Sequence, residues 1–322
     1  MRSYCLLPRR DMKRQNRIFY RGILNHCYQR TLNGEVLFYS VSDYLAFFTI
    51  VCTQARAHKV RLLALAPMPD HIHMSVIANK KIEFESFMRD FTRIFSKENN
   101  KTCHRTGELF QSPFGSVPKN GDKAARTNLI YLANNPQERQ LCKYPEQYRW
   151  SFLSYAKSKN PFSKPLIIRN SSWALKKAVR IVKSELKQSR PLNHTILKNL
   201  FSTLTKTESE QLADFIIDSY NVIDYQSAIS FFDSYEEMIT AIHASSGSEH
   251  NLNEIFIGKS DEHYAKMSAI LIKELKLKDI HDIFLMDEEK RWEVLFPILR
   301  NKTEAPGEQI AKFLRINIAR KM

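Results

Sequence analysis

Cysteine is scarce in this chain and follows no pattern. Cys5, Cys27, Cys52, Cys103 and Cys142 are odd in number and include no CxxC pair, which excludes a disulfide framework and a paired-cysteine zinc knuckle. Long apolar runs are missing too. The opening MRSYCLLPRRDMKRQNR lacks the apolar stretch of a secretory signal, and no run reaches transmembrane length. A cytoplasmic protein with no membrane partner is expected. Acidic residues are sparse in the first two thirds. Residues 1–156 hold 24 Lys/Arg against 12 Asp/Glu, residues 157–206 hold 12 against 1, and only residues 207–322 reverse the balance, with 13 against 21. Such a basic leading part suits a polyanion such as nucleic acid.

What is present is globular. The 322 residues are 43% hydrophobic, enough for two domains and a buried core. FYRGILNHCYQRT reads as a strand ending near Asn33-Gly34, and Ser42 is the expected cap of a helix over residues 43–58. VRLLALAPMP and HIHMSVIA form a hairpin-like pair around Met68-Pro69-Asp70. Phe84, Phe87, Met88, Phe91, Ile94 and Phe95 make the apolar stripe of a helix whose other face carries Arg89, Arg93, Lys97 and Lys101. FGSVPK is a further strand, and KAARTNLIYLANN a helix expected to stop at Pro136. The order β-α-β-β-α-β-α predicts an α+β fold, an antiparallel sheet with packed helices. Residues 1–156 are read as this domain, 157–206 as a basic connector with helices, and 207–322 as an α-helical domain. A helix-turn-helix is possible at its end, with Glu308–Ala311, a turn near Leu314-Arg315-Ile316, then Ile318-Ala319-Arg320.

Strand residues two apart share a face. His71 and His73 therefore project together, and two adjacent imidazoles suit a divalent cation that takes a third ligand from elsewhere. Tyr131 and Asn135, four apart on the later helix, share a face with Thr127 and Asn128 just behind. The plainer alternative is a pair of structural histidines at a sheet surface and a packing tyrosine. For the basic row it is a solvated helix face.

Four segments in this order, MPDHIHM, GELFQSPFGSV, YLANNP and YRWSFLSY, resemble the single-tyrosine HUH transposases. The similarity is greatest to the REP-associated tyrosine transposases and related insertion-sequence transposases, over about residues 18–156. The resemblance implies a ferredoxin-like HUH sheet, a metal-binding pair at His71 and His73, a third ligand position at Asn135 and a nucleophile at Tyr131. It also implies a single-stranded DNA substrate, often beside a hairpin, and a homodimer. Ser112-Pro113-Phe114 stands where the family often has a basic or bulky residue, which leaves the DNA contacts there open. Tyrosine attack on a phosphodiester would give a 5′-phosphotyrosine and a free 3′-hydroxyl, with Mg²⁺ or Mn²⁺ the expected cofactor. Arg89, Arg93, Lys97 and Lys101 could track phosphates.

Other classes fit less well. HMSV, residues 73–76, matches half of a two-histidine phosphoesterase, but HRTG and HASS do not supply the second copy. The H-x-E and P-C-x-x-C signature of zinc deaminases is missing. A domesticated, non-catalytic DNA-binding protein on the same fold is the main alternative.

Overall fold

The computed structural model describes residues 17–245 and 261–317. Strand β1 (Leu24–Arg30) leads through a 3-10 turn into α1 (Val41–Ala57). There follow β2 (Arg61–Met68), β3 (His71–Ile77), α2 (Lys81–Thr102), β4 (Gly115–Lys119) and α3 (Gly121–Glu138). The strands form one antiparallel sheet in the order β2-β3-β1-β4. This is the ferredoxin-like α+β arrangement, with the first and third strands central.

Register decides which side chains meet. In the β1–β3 pair, His26 stands opposite Ser75, Tyr28 opposite His73 and Arg30 opposite His71. Directly opposed residues share a face, so these six lie together. The alternate residues Cys27, Ile72, Met74 and Val76 enter the core on the other face, with Phe47 of α1 and Phe84, Phe87, Phe91 and Phe95 of α2. The histidine face is polar only over part of its length. Leu24 and Ile77 pack there with Ala125 and Leu129 of α3, so it turns apolar toward Ala78.

Two expected boundaries are corrected. The N-cap of α1 is Ser40, not Ser42. The Asp43 carboxylate accepts from the Ser40 backbone N–H at 2.9 Å, a capping box that starts the helix one residue before Ser42. Helix α3 does not stop at Pro136 but runs through it to Glu138. Proline removes one backbone donor, and the turn continues because Arg139 N–H donates to the Asn135 carbonyl and Leu141 N–H to the Pro136 carbonyl.

The later helices pack on α1, on α3 and on the segment that follows β1. The lysine-rich stretch forms α4 (Trp173–Lys187) and α5 (His194–Phe201), which with α6 (Lys206–Tyr220) share the core of α1 through Val179, Val182, Leu197, Ile216 and Tyr220. Next, α7 (Tyr225–Ile229) and α8 (Tyr235–Ala244) join the cluster around Leu129 and Ile130 of α3. Finally α9 (Glu262–Leu275), the 3-10 turn Ile280–Leu285 and the helices Phe296–Lys302 and Gly307–Leu314 build a second core around Val36 and Tyr39. Half-buried Arg315, left-handed after Gly307–Leu314, donates to the Val36 carbonyl at 2.9 Å. Ile318, Ala319 and Arg320, the expected second helix of a helix-turn-helix, lie outside the described residues. Among the described residues no helix is long and apolar enough to cross a membrane.

Candidate active site

The two histidines stand at the start of β3, directly after the two-residue turn Pro69-Asp70. That turn is pinned from both sides. The Pro69 carbonyl accepts from Leu37 N–H, and the Asp70 carbonyl accepts from the backbone N–H and the hydroxyl of Thr31. Asp70 thereby reaches its neighbour, its Oδ1 2.6 Å from His71 Nδ1. Burial works against the Asp70 charge, yet His71 beside it, with Arg139 and Lys312 further off, holds the carboxyl down at about 2. A carboxylate on one ring nitrogen fixes the tautomer and turns the other outward as a lone-pair donor. Here that atom, His71 Nε2, is buried with no hydrogen-bond partner.

His73 is fixed in the same way by a residue sequence reasoning missed. His26 Nε2 lies 2.9 Å from His73 Nδ1. Burial pulls His26 down to about 3, helped by Lys119. Burial, then the charges of His71 and its neighbours, keeps His73 well below the usual imidazole range. His73 is therefore neutral near pH 7, the form in which imidazole binds a metal. The signal for His26 was available: in NHCYQR, residues 26, 28 and 30 alternate toward one face. What was missing was the β1–β3 register.

Helix α3 covers this face. Asn128 Nδ2 donates to Ser75 Oγ at 2.7 Å, and the Tyr131 ring packs edge-on against His73, with centroids 5.5 Å apart, and 5.6 Å from His26. From Asn128 to Tyr131 the helix thus advances along β3 from Ser75 toward His73. Asn135 lies roughly 10 Å along the helix from Asn128, and His71 roughly 13 Å along the strand from Ser75. The same direction carries Asn135 to the His71 end. Its amide Oδ1 and Nδ2 are both buried without a hydrogen-bond partner. Orphaned donors on His71 and Asn135, beside the neutral imidazole of His73, are what a cation-binding set requires, because such atoms are costly to bury unpaired.

The histidine face is closed rather than open to solvent. His71, His73, Tyr131 and Asn135 are 2%, 1%, 4% and 0% exposed. The reason is α3 itself, which packs down across the polar half as well as the apolar half. Arg139, just after it, pairs with Asp261 at 3.7 Å. Burial raises that carboxyl to about 6 even though Arg139 opposes the shift.

The basic row sits elsewhere. Arg89, Arg93, Lys97 and Lys101 are all exposed on α2, the helix that covers the opposite face of the sheet. Arg89 and Arg93 both approach Asp90, at 3.1 and 3.9 Å. The structure brings Tyr131, His71 and His73 together and leaves the basic row apart from them.

Residues 26–135, about a third of the chain, match the family model described as "Transposase IS200 like". One solved structure, described as "Structure of the REP associates tyrosine transposase bound to a REP hairpin", is similar at 16% sequence identity over 45% of this chain and 84% of the other, with a TM-score of 0.39. No curated protein matches the chain.

Proposed function

We propose that this domain acts as a transposase that cleaves and rejoins single-stranded DNA through a 5′-phosphotyrosine, with Tyr131 as nucleophile. The observation that carries the reading is the contact of Tyr131 with His73, whose ring is oriented by His26. Attack by the tyrosine oxygen forms an O–P bond while the bond from phosphorus to O3′ of the preceding nucleotide breaks. The 3′-oxygen leaves as a hydroxyl, and the tyrosine proton balances it. Reversal by a 3′-hydroxyl restores the strand without an external energy source. His71, His73 and Asn135 would hold a divalent cation, Mg²⁺ or Mn²⁺, whose charge would offset that developing on the phosphate oxygens. Asp70 and His26 hold the two rings in their donor tautomers.

Arg30 shares the histidine face and suits a phosphate oxygen as it approaches. The row on α2 is proposed to hold flanking DNA, since it lies across the sheet from the reacting groups. Each chain carries one such tyrosine, so exchange between two strand ends calls for two copies, and a homodimer is the proposed working unit. Hairpin-containing ends are the proposed substrate, and the cytoplasm the proposed compartment.

One observation favours a second reading, a domesticated DNA-binding protein that no longer transfers strands: the tyrosine is buried beneath its own helix. A single experiment separates the two. The protein is incubated with a single-stranded hairpin oligonucleotide and Mn²⁺, and a denaturing gel is read for a covalent adduct. An adduct that disappears in Tyr131→Phe supports strand transfer. Hairpin binding without any adduct supports the second reading.

A further inference from the structure

Away from the histidine face, three buried side chains from distant parts of the chain converge. Asp43 comes from the first turn of α1, His194 from the start of α5 and His281 from the 3-10 turn Ile280–Leu285. Asp43 Oδ1 lies 3.1 Å from His281 Nε2 and 3.6 Å from His194 Nε2, and the two imidazoles are near-perpendicular with centroids 4.6 Å apart. Donors at about 2.0–2.1 Å around a tetrahedral Zn²⁺ stand about 3.3 Å from one another, and the two measured separations bracket that value.

Two of the three donors are also held in place. Asp43 Oδ2 is taken up by the Tyr39 and Ser40 backbone N–H groups and the Ser40 hydroxyl, which leaves Oδ1 for the imidazoles. His281 Nδ1 is 2.7 Å from Asp279 Oδ1, and Asp279 is itself held by Lys198 at 2.9 Å. This carboxylate–imidazole pair is the outer support characteristic of zinc-binding histidines. His281 is 3% exposed, and its Nε2 lies 3.1 Å from Asp43 Oδ1, so these two donor atoms already stand at ligand-to-ligand distance.

We infer that Asp43, His194 and His281 form a second metal site, selective for a borderline divalent cation such as Zn²⁺ and structural in purpose. Two imidazoles and one carboxylate favour Zn²⁺ over Mg²⁺, which prefers an all-oxygen shell, and water completes the coordination. The site clips α1 to α5 and to the C-terminal helices. Without a cation the cluster is an ion pair. Burial works to discharge His281, but Asp43 and Asp279 push it up to about 10.

The test uses Co²⁺, whose tetrahedral complexes absorb strongly in the visible, and the full chain carrying His71→Ala and His73→Ala, so that the first pair contributes nothing. One Co²⁺ per chain with intense bands is expected, and the bands vanish when His194→Gln or His281→Gln is added. Zn²⁺ at a hundredfold excess over its Kd should raise the Tm of the wild-type chain and of the His71→Ala/His73→Ala chain by roughly 5 °C. Neither shift nor bands in the His71→Ala/His73→Ala chain would mean an ion pair only and overturn the inference. Bands that survive both glutamine substitutions would overturn it too.

Discussion

The Tyr131 hydroxyl and the His26–His73 contact call for different substitutions. Tyr131→Phe keeps the ring that packs on His73 and His26 and removes one oxygen. Its stability should fall by no more than about 1 kcal/mol, with hairpin binding retained and the covalent adduct gone, as checked by thermal melting and a denaturing gel. Peptide mapping that finds DNA on another tyrosine would end the assignment. His26 touches no reacting atom on this reading and is a positioning residue. In His26→Ala the His73 ring loses its anchor, and the Mn²⁺ concentration for half-maximal cleavage should rise about 10- to 100-fold, with saturating Mn²⁺ restoring much of the rate. His26→Gln should recover part of the loss, because a side-chain amide can still reach His73. An unchanged Mn²⁺ titration in His26→Ala would leave His26 a packing residue.

At the scale of elements, α3 both presents the tyrosine and closes the site. Tyr131 and both histidines are almost wholly covered, so on the proposed reading a DNA strand would reach them only when α3, or the Arg139–Asp261 pair beside it, moves away. The Asn128–Ser75 hydrogen bond marks where helix and strand touch. A chain carrying Ser75→Cys and Asn128→Cys should form a disulfide there. Oxidised, it should lose cleavage at least tenfold, and dithiothreitol should restore it. Equal rates in both states would show that α3 stays in place during the reaction. A second element-level constraint is Gly115 on β4. A Cβ there would come within 2.1 Å of the Tyr28 ring, so Gly115→Ala must displace Tyr28, which flanks His73 at 6.5 Å between centroids. Weaker hairpin binding with an unchanged fold is expected, measured by fluorescence anisotropy alongside circular dichroism.

For the whole molecule, charge is the relevant quantity. The net charge is +15, and two exposed basic rows contribute to it, one on α2 and one on α4 with Lys177, Arg180, Lys183 and Lys187. Binding of single-stranded DNA releases counterions wherever a basic side chain neutralises a phosphate. Replacing Arg89, Arg93, Lys97 and Lys101 by alanine should flatten the dependence of log K on log salt by about 0.7 for each phosphate no longer neutralised. The adduct should still form at low salt, because these residues stand apart from Tyr131. A slope equal to that of the wild-type chain would make the α2 row a solvated face and shift attention to α4.

Much of this was legible from one dimension. Alternation along HIHMSVI placed both histidines on one face, the spacing of Tyr131 and Asn135 placed them on one helix, and the element order predicted the sheet, because period and order are local properties. The helix boundaries were less legible. Ser40 outcompetes Ser42 through a reciprocal bond with Asp43, and Pro136 is carried inside α3 by hydrogen bonds donated from beyond it. Three matters belonged to tertiary structure alone. His26 gained its role when the β1–β3 register set it beside His73. The site became closed when α3 packed over the polar half of its sheet. Asp43, His194 and His281, more than 80 residues apart at each step, became neighbours only when the C-terminal helices docked on α1. Contacts between distant segments follow from how whole surfaces fit, and no local pattern in the sequence encodes that fit.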